Sequence, residues 1–222
     1  MSRGEAMTAV WGPLGWMTLH SVSTIYPERP TQSEKDLMTT WLGLFTETIT
    51  CPHCRDHFRS MHSAYRMKYP GYLDSRQAFA MMAFRCHNVV NARLSKPVYG
   101  ALDQCLTILK TNTQTRSAQD YRISYINHLI RFWSTIQDTT GITSLKKVYQ
   151  MKTIEIEYLA SRDTKFDVTL RDDGVVIPRH WVELDPYGQP VTSPDQTVRL
   201  LPRATDKTRV GFKMSGGRIR LF

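Results

Sequence analysis

The chain has 222 residues, 41% hydrophobic and 22% charged, with a formal net charge of +9. This is too apolar for a disordered chain, and it supplies a packed core for one large domain or for one domain with an extension. The basic residues are scattered, so the charge reads as a solvated surface, and no nucleic-acid partner is expected. No stretch reaches the about 20 apolar residues of a membrane span. The first ten residues lack the apolar centre of a secretory signal, so a cytoplasmic setting is expected. All four cysteines lie between Cys51 and Cys105. In a reducing compartment, paired cysteines are more often catalytic or metal-binding than structural.

The first half reads as helices. In "GPLGWMTLHSVSTIYP", Pro13 is placed near a helix start, where its missing N–H is harmless. Trp16, Leu19 and His20 follow at helical spacing, and Pro27 closes the segment. "SEKDLMTTWLGLFTETIT" predicts a second helix with Ser33 as N-cap. Its apolar positions Leu37, Met38, Trp41, Leu42, Phe45 and Ile49 repeat at three and four. Pro52 suits the first turn of a third helix running to about Arg66. "YPGYLDS" is a loop, and "SRQAFAMMAFRCHNVVNARLSK" is a long fourth helix stopped by Pro97. A short fifth helix is expected over Leu102–Lys110.

From about Thr111 a polar connector leads to two more helices, near 121–136 and 144–159. Beyond Arg162 the pattern turns strand-like in "FDVTL", "GVVI", "HWVEL", "TVRLL", "RVGFKM" and "RIRLF", separated by turn signals. The expected architecture is mainly α: a four-helix core with a short fifth helix in residues 1–110. An extension, 111–222, is helical to about 162 and then strand-rich.

The segment "TITCPHCRDHF" carries the most specific chemistry. Cys51 and Cys54 could supply two ligands to zinc, but a closed zinc site needs about four. Cys86 and His87 are adjacent, which is poor ligand spacing, and there is no second Cys-x-x-Cys, so no metal is expected. A thioredoxin-like pair would follow a strand, whereas this one follows an amphipathic helix. The third reading is a dithiol in a helical redox enzyme, lying against a cofactor that takes its electrons.

The ordered set Trp-x-x-x-His (Trp16, His20), Cys-x-x-Cys (Cys51, Cys54) and His-Asn-x-x-Asn-x-x-Leu-x-Lys (His87, Asn88, Asn91, Leu94, Lys96) resembles the Erv/ALR-type FAD-linked sulfhydryl oxidases. The resemblance covers roughly residues 10–110, and that family has short viral members. It implies a helical bundle around FAD and a homodimer, with cytoplasmic or virion-associated placement. Trp16, His20, Tyr26, His87, Asn88, Asn91, Leu94, Lys96 and Tyr99 are implied to bind the cofactor, and Cys51 and Cys54 to be the redox pair. Thiol-containing protein substrates, or a separate dithiol carrier, would reduce Cys51–Cys54, and oxygen would leave as hydrogen peroxide.

Many relatives carry a Cys-x16-Cys pair whose positions here are Phe84 and Ala101. Cys86 and Cys105 stand nearby, so a replacement disulfide between them is one expectation and two buried free thiols the other. The competing functional readings are a non-catalytic helical interaction protein and a zinc-stabilised module.

Overall fold

The computed structural model describes residues 3–162 and two short strands near the C-terminus, with side chains described from Trp11 to Arg162. Its helices are α1 (Arg3–Ile25), α2 (Gln32–Thr48), α3 (Pro52–Lys68), α4 (Arg76–Arg93), α5 (Leu102–Asn112), α6 (Ala118–Ser134) and α7 (Thr139–Ile154). The last runs on into a π-helical turn, Glu155–Leu159. Strands β1 (Lys213–Ser215) and β2 (Arg218–Arg220) pair antiparallel, with Met214 opposite Ile219. They fall in "RVGFKM" and "RIRLF"; the other expected strands lie outside the described residues. Among the described residues, no helix is long and apolar enough to cross a membrane.

Two helix starts differ from expectation. Helix α1 begins at Arg3, which puts Pro13 inside it. Helix α2 is capped by Thr31 rather than Ser33. Thr31 Oγ1 accepts the Glu34 N–H at 3.2 Å, and the Glu34 carboxylate accepts the Thr31 N–H at 2.9 Å. That reciprocal pair satisfies two orphan donors, and it needs a Glu three residues after the cap. Ser33 has Asp36 there instead.

Helix α1 packs on α4 and on α6, while α7 packs on α2 and α6. The main core joins Leu19, Val22 and Ile25 of α1 to Trp41, Leu42 and Phe45 of α2, Phe58 of α3 and Met82 of α4. Tyr125, Leu129 and Trp133 of α6 and Val148 and Met151 of α7 belong to the same cluster. A second cluster, with Met17, Phe84, Leu102, Cys105 and Leu109, seals α5 against α1 and α4. The composition boundary at 110/111 falls within the last turn of α5, and α6 and α7 share the main core with α1–α4.

Two polar contacts fix how α6 and α7 sit. Arg122 and Glu155 are both buried, and the guanidinium donates to the two carboxylate oxygens at 2.8 and 3.0 Å. The same guanidinium donates to Ser21 Oγ of α1 at 2.6 Å. Trp133 Nε1 donates to the Thr48 carbonyl at the end of α2, at 2.9 Å. At Gly141, any Cβ would collide with the Ile136 carbonyl, so only glycine lets α7 start so close to the end of α6.

Glu155→Gln would leave a guanidinium buried without its counter-charge, and the loss should be about 3 kcal/mol. The half-exposed Arg59–Glu47 pair is the control, since Glu47→Gln should cost less than about 1 kcal/mol. Urea unfolding of both variants checks this. Equal, small losses would show that the Arg122 pair does not hold the α6–α7 hairpin in place.

Candidate functional site

The α1–α4 contact carries most of the aromatic and imidazole chemistry. Trp16 and His20 lie one turn apart on α1, and His87 faces them from α4. The Trp16 and His87 rings stack at 4.2 Å with planes 9° apart. His20 Nε2 and His87 Nδ1 are hydrogen-bonded at 3.0 Å. Tyr99 meets His87 edge-on at 6.4 Å, and Trp16 reaches Phe58 of α3 at 6.2 Å. Cys105 Sγ is 3.8 Å from His20 Nε2.

Burial sets the protonation of this cluster. It pushes His20 down to about 3 and His87 well below the ordinary imidazole value, with His20 and Lys96 adding to the effect on His87. Both rings are therefore neutral at pH 7, so each has one donor and one acceptor nitrogen. The ring that donates within the pair keeps an acceptor free, and its partner keeps a donor free. Those remaining atoms, His20 Nδ1 and His87 Nε2, are buried with no hydrogen-bond partner among the described residues. Beside the flat indole of Trp16, one free donor and one free acceptor suit a planar heterocycle that carries both kinds of group.

The other residues implied by the resemblance divide. Asn88 is buried and already paired: its amide donates to the Tyr99 carbonyl at 2.9 Å and accepts the Tyr99 N–H at 3.1 Å. These two bonds pin the 96–100 segment to α4. Helix α4 ends at Arg93, earlier than Pro97 implies. Ser95 adopts φ 54° there, and the Lys96 and Ser95 N–H groups close onto the Asn91 and Ala92 carbonyls. This left-handed stop satisfies two terminal carbonyls and turns Lys96 outward. Asn91 is buried on α4, Lys96 is exposed and Leu94 is 44% exposed. Tyr26 stands apart from the Trp16 cluster: its hydroxyl donates to the Leu73 carbonyl at 3.0 Å, and its ring packs edge-on against Phe79.

Cys51 and Cys54 form a disulfide with Cα atoms 5.2 Å apart. Cys51 is the N-cap of α3, with Pro52 in the first turn, and its Sγ accepts the Cys54 N–H at 3.2 Å. A helix N-terminus stabilises a thiolate by its dipole and its free N–H groups. Cys54 packs against the main core, and Phe58, one turn further along α3, touches Trp16. The dithiol and the α1–α4 cluster thus border one apolar wall.

Sequence reasoning missed three neighbours. Phe58 could have been found as the residue four after Cys54. His62, four further on, is buried between Phe58 and Tyr72, and burial, then Arg66, pushes it down to about 4. Cys105 beside His20 has no local signal, because α5 brings it from the other side. The Cys86–Cys105 bridge is not formed. Cys86 faces Met82 in the main core while Cys105 belongs to the second cluster, and burial pushes each thiol up to about 12. The physical reason is helical phase: Cys86 stands two residues after Phe84, which turns it to nearly the opposite side of α4.

Two measurements check these assignments. Protein unfolded without reductant should show two free thiols, mapping to Cys86 and Cys105; none would restore the bridge. For His62, the folded ring titrates near 4 and the unfolded one near 6.5. Between those values the unfolded chain holds the extra proton, so stability is present above about 6.5 and falls as pH falls. His62→Phe should flatten that fall between pH 6 and 4.5 by about 1.4 kcal/mol per pH unit. Parallel curves for wild type and variant would refute a neutral buried His62.

The Erv1 / Alr family model matches residues 14–131, more than half of the chain. FAD-linked sulfhydryl oxidase ERV2 of Saccharomyces cerevisiae is 34% identical over 99 residues, 45% of this chain and 46% of the relative. The mitochondrial FAD-linked sulfhydryl oxidase ERV1 of the same yeast is 31% identical, over 40% of this chain and 44% of its own. Protein 096R of Invertebrate iridescent virus 3, named as a candidate FAD-linked sulfhydryl oxidase, is 32% identical over 41% of this chain and 61% of its own. The chain spans about half the length of the curated relatives it matches. No solved structure matches it. The region matched by the family runs from α1 into α6 and holds the stacked Trp16–His87 pair and the Cys51–Cys54 turn, and the chain belongs to the Erv1 / Alr family.

Proposed function

We propose that this protein is an FAD-dependent thiol oxidase that makes disulfides in protein substrates. The observation that carries the reading is the placement of the Cys51–Cys54 disulfide at the N-terminus of α3, joined through Phe58 to the Trp16–His87 stack. FAD, when bound, takes up the dithiol's electron pair and delivers it to oxygen, which leaves as hydrogen peroxide. Trp16, His20 and His87 would hold it by a flat face and by the two unpartnered ring nitrogens. Asn91 and Lys96 are proposed as further contacts, with Tyr99 bordering the site. Asn88 would act by keeping the 96–100 segment in place, and Tyr26 and Leu94 by packing.

The thiol chemistry belongs to the chain itself. A substrate thiolate attacks Cys51 Sγ, a mixed disulfide forms, the Cys51–Cys54 bond breaks and Cys54 leaves as a thiolate. A second substrate thiolate then attacks the mixed disulfide and releases Cys51, so the substrate gains a disulfide and the pair holds two electrons. Cys51, at the N-cap of α3, is the substrate-facing sulfur in this reading, and Cys54, packed against the main core, is the inner one. In this reading electrons enter from a thiol-containing substrate or from a separate dithiol carrier. Residues 1–110 carry every proposed cofactor and dithiol residue, and 111–162 brace them. A homodimer is part of the proposal.

Purified protein should be yellow with bound FAD and should consume oxygen with a small dithiol. Cys54→Ser should trap a mixed disulfide with substrate, whereas Cys51→Ser should not; the reverse pattern would exchange the two roles. A zinc-held helical module is the second reading, favoured by the donor atoms of His20, His87 and Cys105, which lie within 4.8 Å of one another. Colourless, folded protein that takes up no FAD and carries stoichiometric zinc would favour that reading and sink the oxidase.

A further inference from the structure

Helices α1, α4 and α5 bring three metal-ligating side chains together. The donor atoms of His20, His87 and Cys105 lie within 4.8 Å of one another, and all three residues are buried. His20 Nε2 is 3.0 Å from His87 Nδ1 and 3.8 Å from Cys105 Sγ. On a tetrahedral zinc, two imidazole nitrogens stand about 3.3 Å apart, and a nitrogen and a sulfur about 3.6 Å, as the usual Zn–N and Zn–S bond lengths require. Small side-chain shifts therefore seat the ion. Both imidazoles are neutral, as metal ligands must be. The Lys96 charge reaches His87, so a divalent ion here needs the negative charge of a Cys105 thiolate. Trp16 and Tyr99, which flank His87, are half-buried, so the cluster lies one side chain below the surface.

We propose that His20, His87 and Cys105 bind one zinc ion in the flavin-free protein, and that zinc and FAD exclude each other. The inference rests on the flavin reading above: it makes the metal a competitor for the cofactor site and not a permanent part of the fold. Zinc takes His20 Nε2, His87 Nδ1 and Cys105 Sγ. The Cys105 S–H bond breaks, a Zn–S bond forms and the proton leaves to solvent, with no electrons transferred. Water fills the fourth position, as in sites with three protein ligands. The hydrogen bond between the two rings is lost, and each ring carries its proton on its other nitrogen. His20 Nδ1 and His87 Nε2 are then both donors, where the metal-free pair offers one donor and one acceptor. A heterocycle matched to one donor and one acceptor loses a bond against two donors and leaves an N–H unpaired, which costs affinity.

The test reads the metal directly. Full-length protein is kept without reductant, so that Cys51 and Cys54 stay bridged and Cys86 and Cys105 are the free thiols. FAD is removed, and cobalt(II) is added as a coloured stand-in for zinc. A thiolate-to-cobalt absorption band should grow to one ion per chain and vanish when zinc is added. Cys86→Ser should retain the band. Cys105→Ser should bind zinc at least about tenfold more weakly, since even losing a supporting hydrogen bond at a metal site costs that much. Adding FAD should bleach the cobalt band of the wild type. If the flavin-free protein does not fold, the comparison is made on the flavin-loaded protein. There, zinc should lower the temperature at which flavin fluorescence is released in wild type and Cys86→Ser, and not in Cys105→Ser. No band in folded flavin-free protein, equal zinc affinity in wild type and Cys105→Ser, simultaneous binding of cobalt and FAD, or a zinc effect on flavin release that is the same in all three proteins would overturn the inference. Metal-stripped, folded protein that takes up no FAD would sink the oxidase reading and, with it, the competition, whatever the cobalt band shows.

Discussion

The contact on which this structure turns is that between α1 and α4, where two imidazoles are buried against each other and against one indole. Burying polar rings costs free energy unless their nitrogens are satisfied. The His20–His87 hydrogen bond satisfies one nitrogen of each ring and leaves the other two facing inward. A core built only for stability would place apolar side chains here. Keeping two neutral histidines, half paired, makes sense when something else completes them. The stack with Trp16 limits that completing group to something flat.

The remaining helices hold that contact in register. Ser21, the residue after His20, receives a hydrogen bond from Arg122, whose other donors are occupied by Glu155. A buried ion pair is weak evidence for added stability, because desolvation offsets much of its attraction. Its geometry is still selective: a planar fork accepts two carboxylate oxygens and a hydroxyl in only one arrangement of α1, α6 and the π-helical turn. Trp133 does a similar thing for the dithiol. Its indole N–H takes the Thr48 carbonyl, one of those that α2 leaves without an intrahelical partner, three residues before Cys51. The helices after residue 111 thus brace both halves of the site without contributing a redox group.

Much of this was legible in the sequence, because its physics is local. The three-and-four spacing of Leu37, Met38, Trp41, Leu42 and Phe45 specifies α2, and Pro52 after Cys51 fixes the start of α3. The ordered Trp16/His20, Cys51/Cys54 and His87/Asn88 motifs pointed to the site. What was not legible depends on chain reversal or on distant helices. Asn88 looked free because its partners, the backbone atoms of Tyr99, arrive only after the Ser95 turn. The partner of the Tyr26 hydroxyl, the Leu73 carbonyl, lies 47 positions away and has no local signal. Arg122 reads as an ordinary surface cation in a helix, since nothing nearby announces Glu155. Ser33 was read as the cap of α2, whereas Glu34, three residues after Thr31, selects Thr31.

Helix α3 shows how a short motif becomes a site. Cys54, Phe58 and His62 are spaced by four, so they share one face of the helix. The first is half of a disulfide, the second touches Trp16, and the third is buried against Tyr72. One stripe therefore runs from a redox bond at the solvent edge into the core, and a rigid helix carries it. Cys51 stands outside that stripe, at the cap, where its sulfur accepts the Cys54 N–H. The two cysteines are separated by only two residues, yet the end of the helix divides them into an outer and an inner position. In the proposed thiol exchange, that division would give attack to the outer sulfur and release to the inner one, which shares its helix face with Phe58 and, through it, meets Trp16.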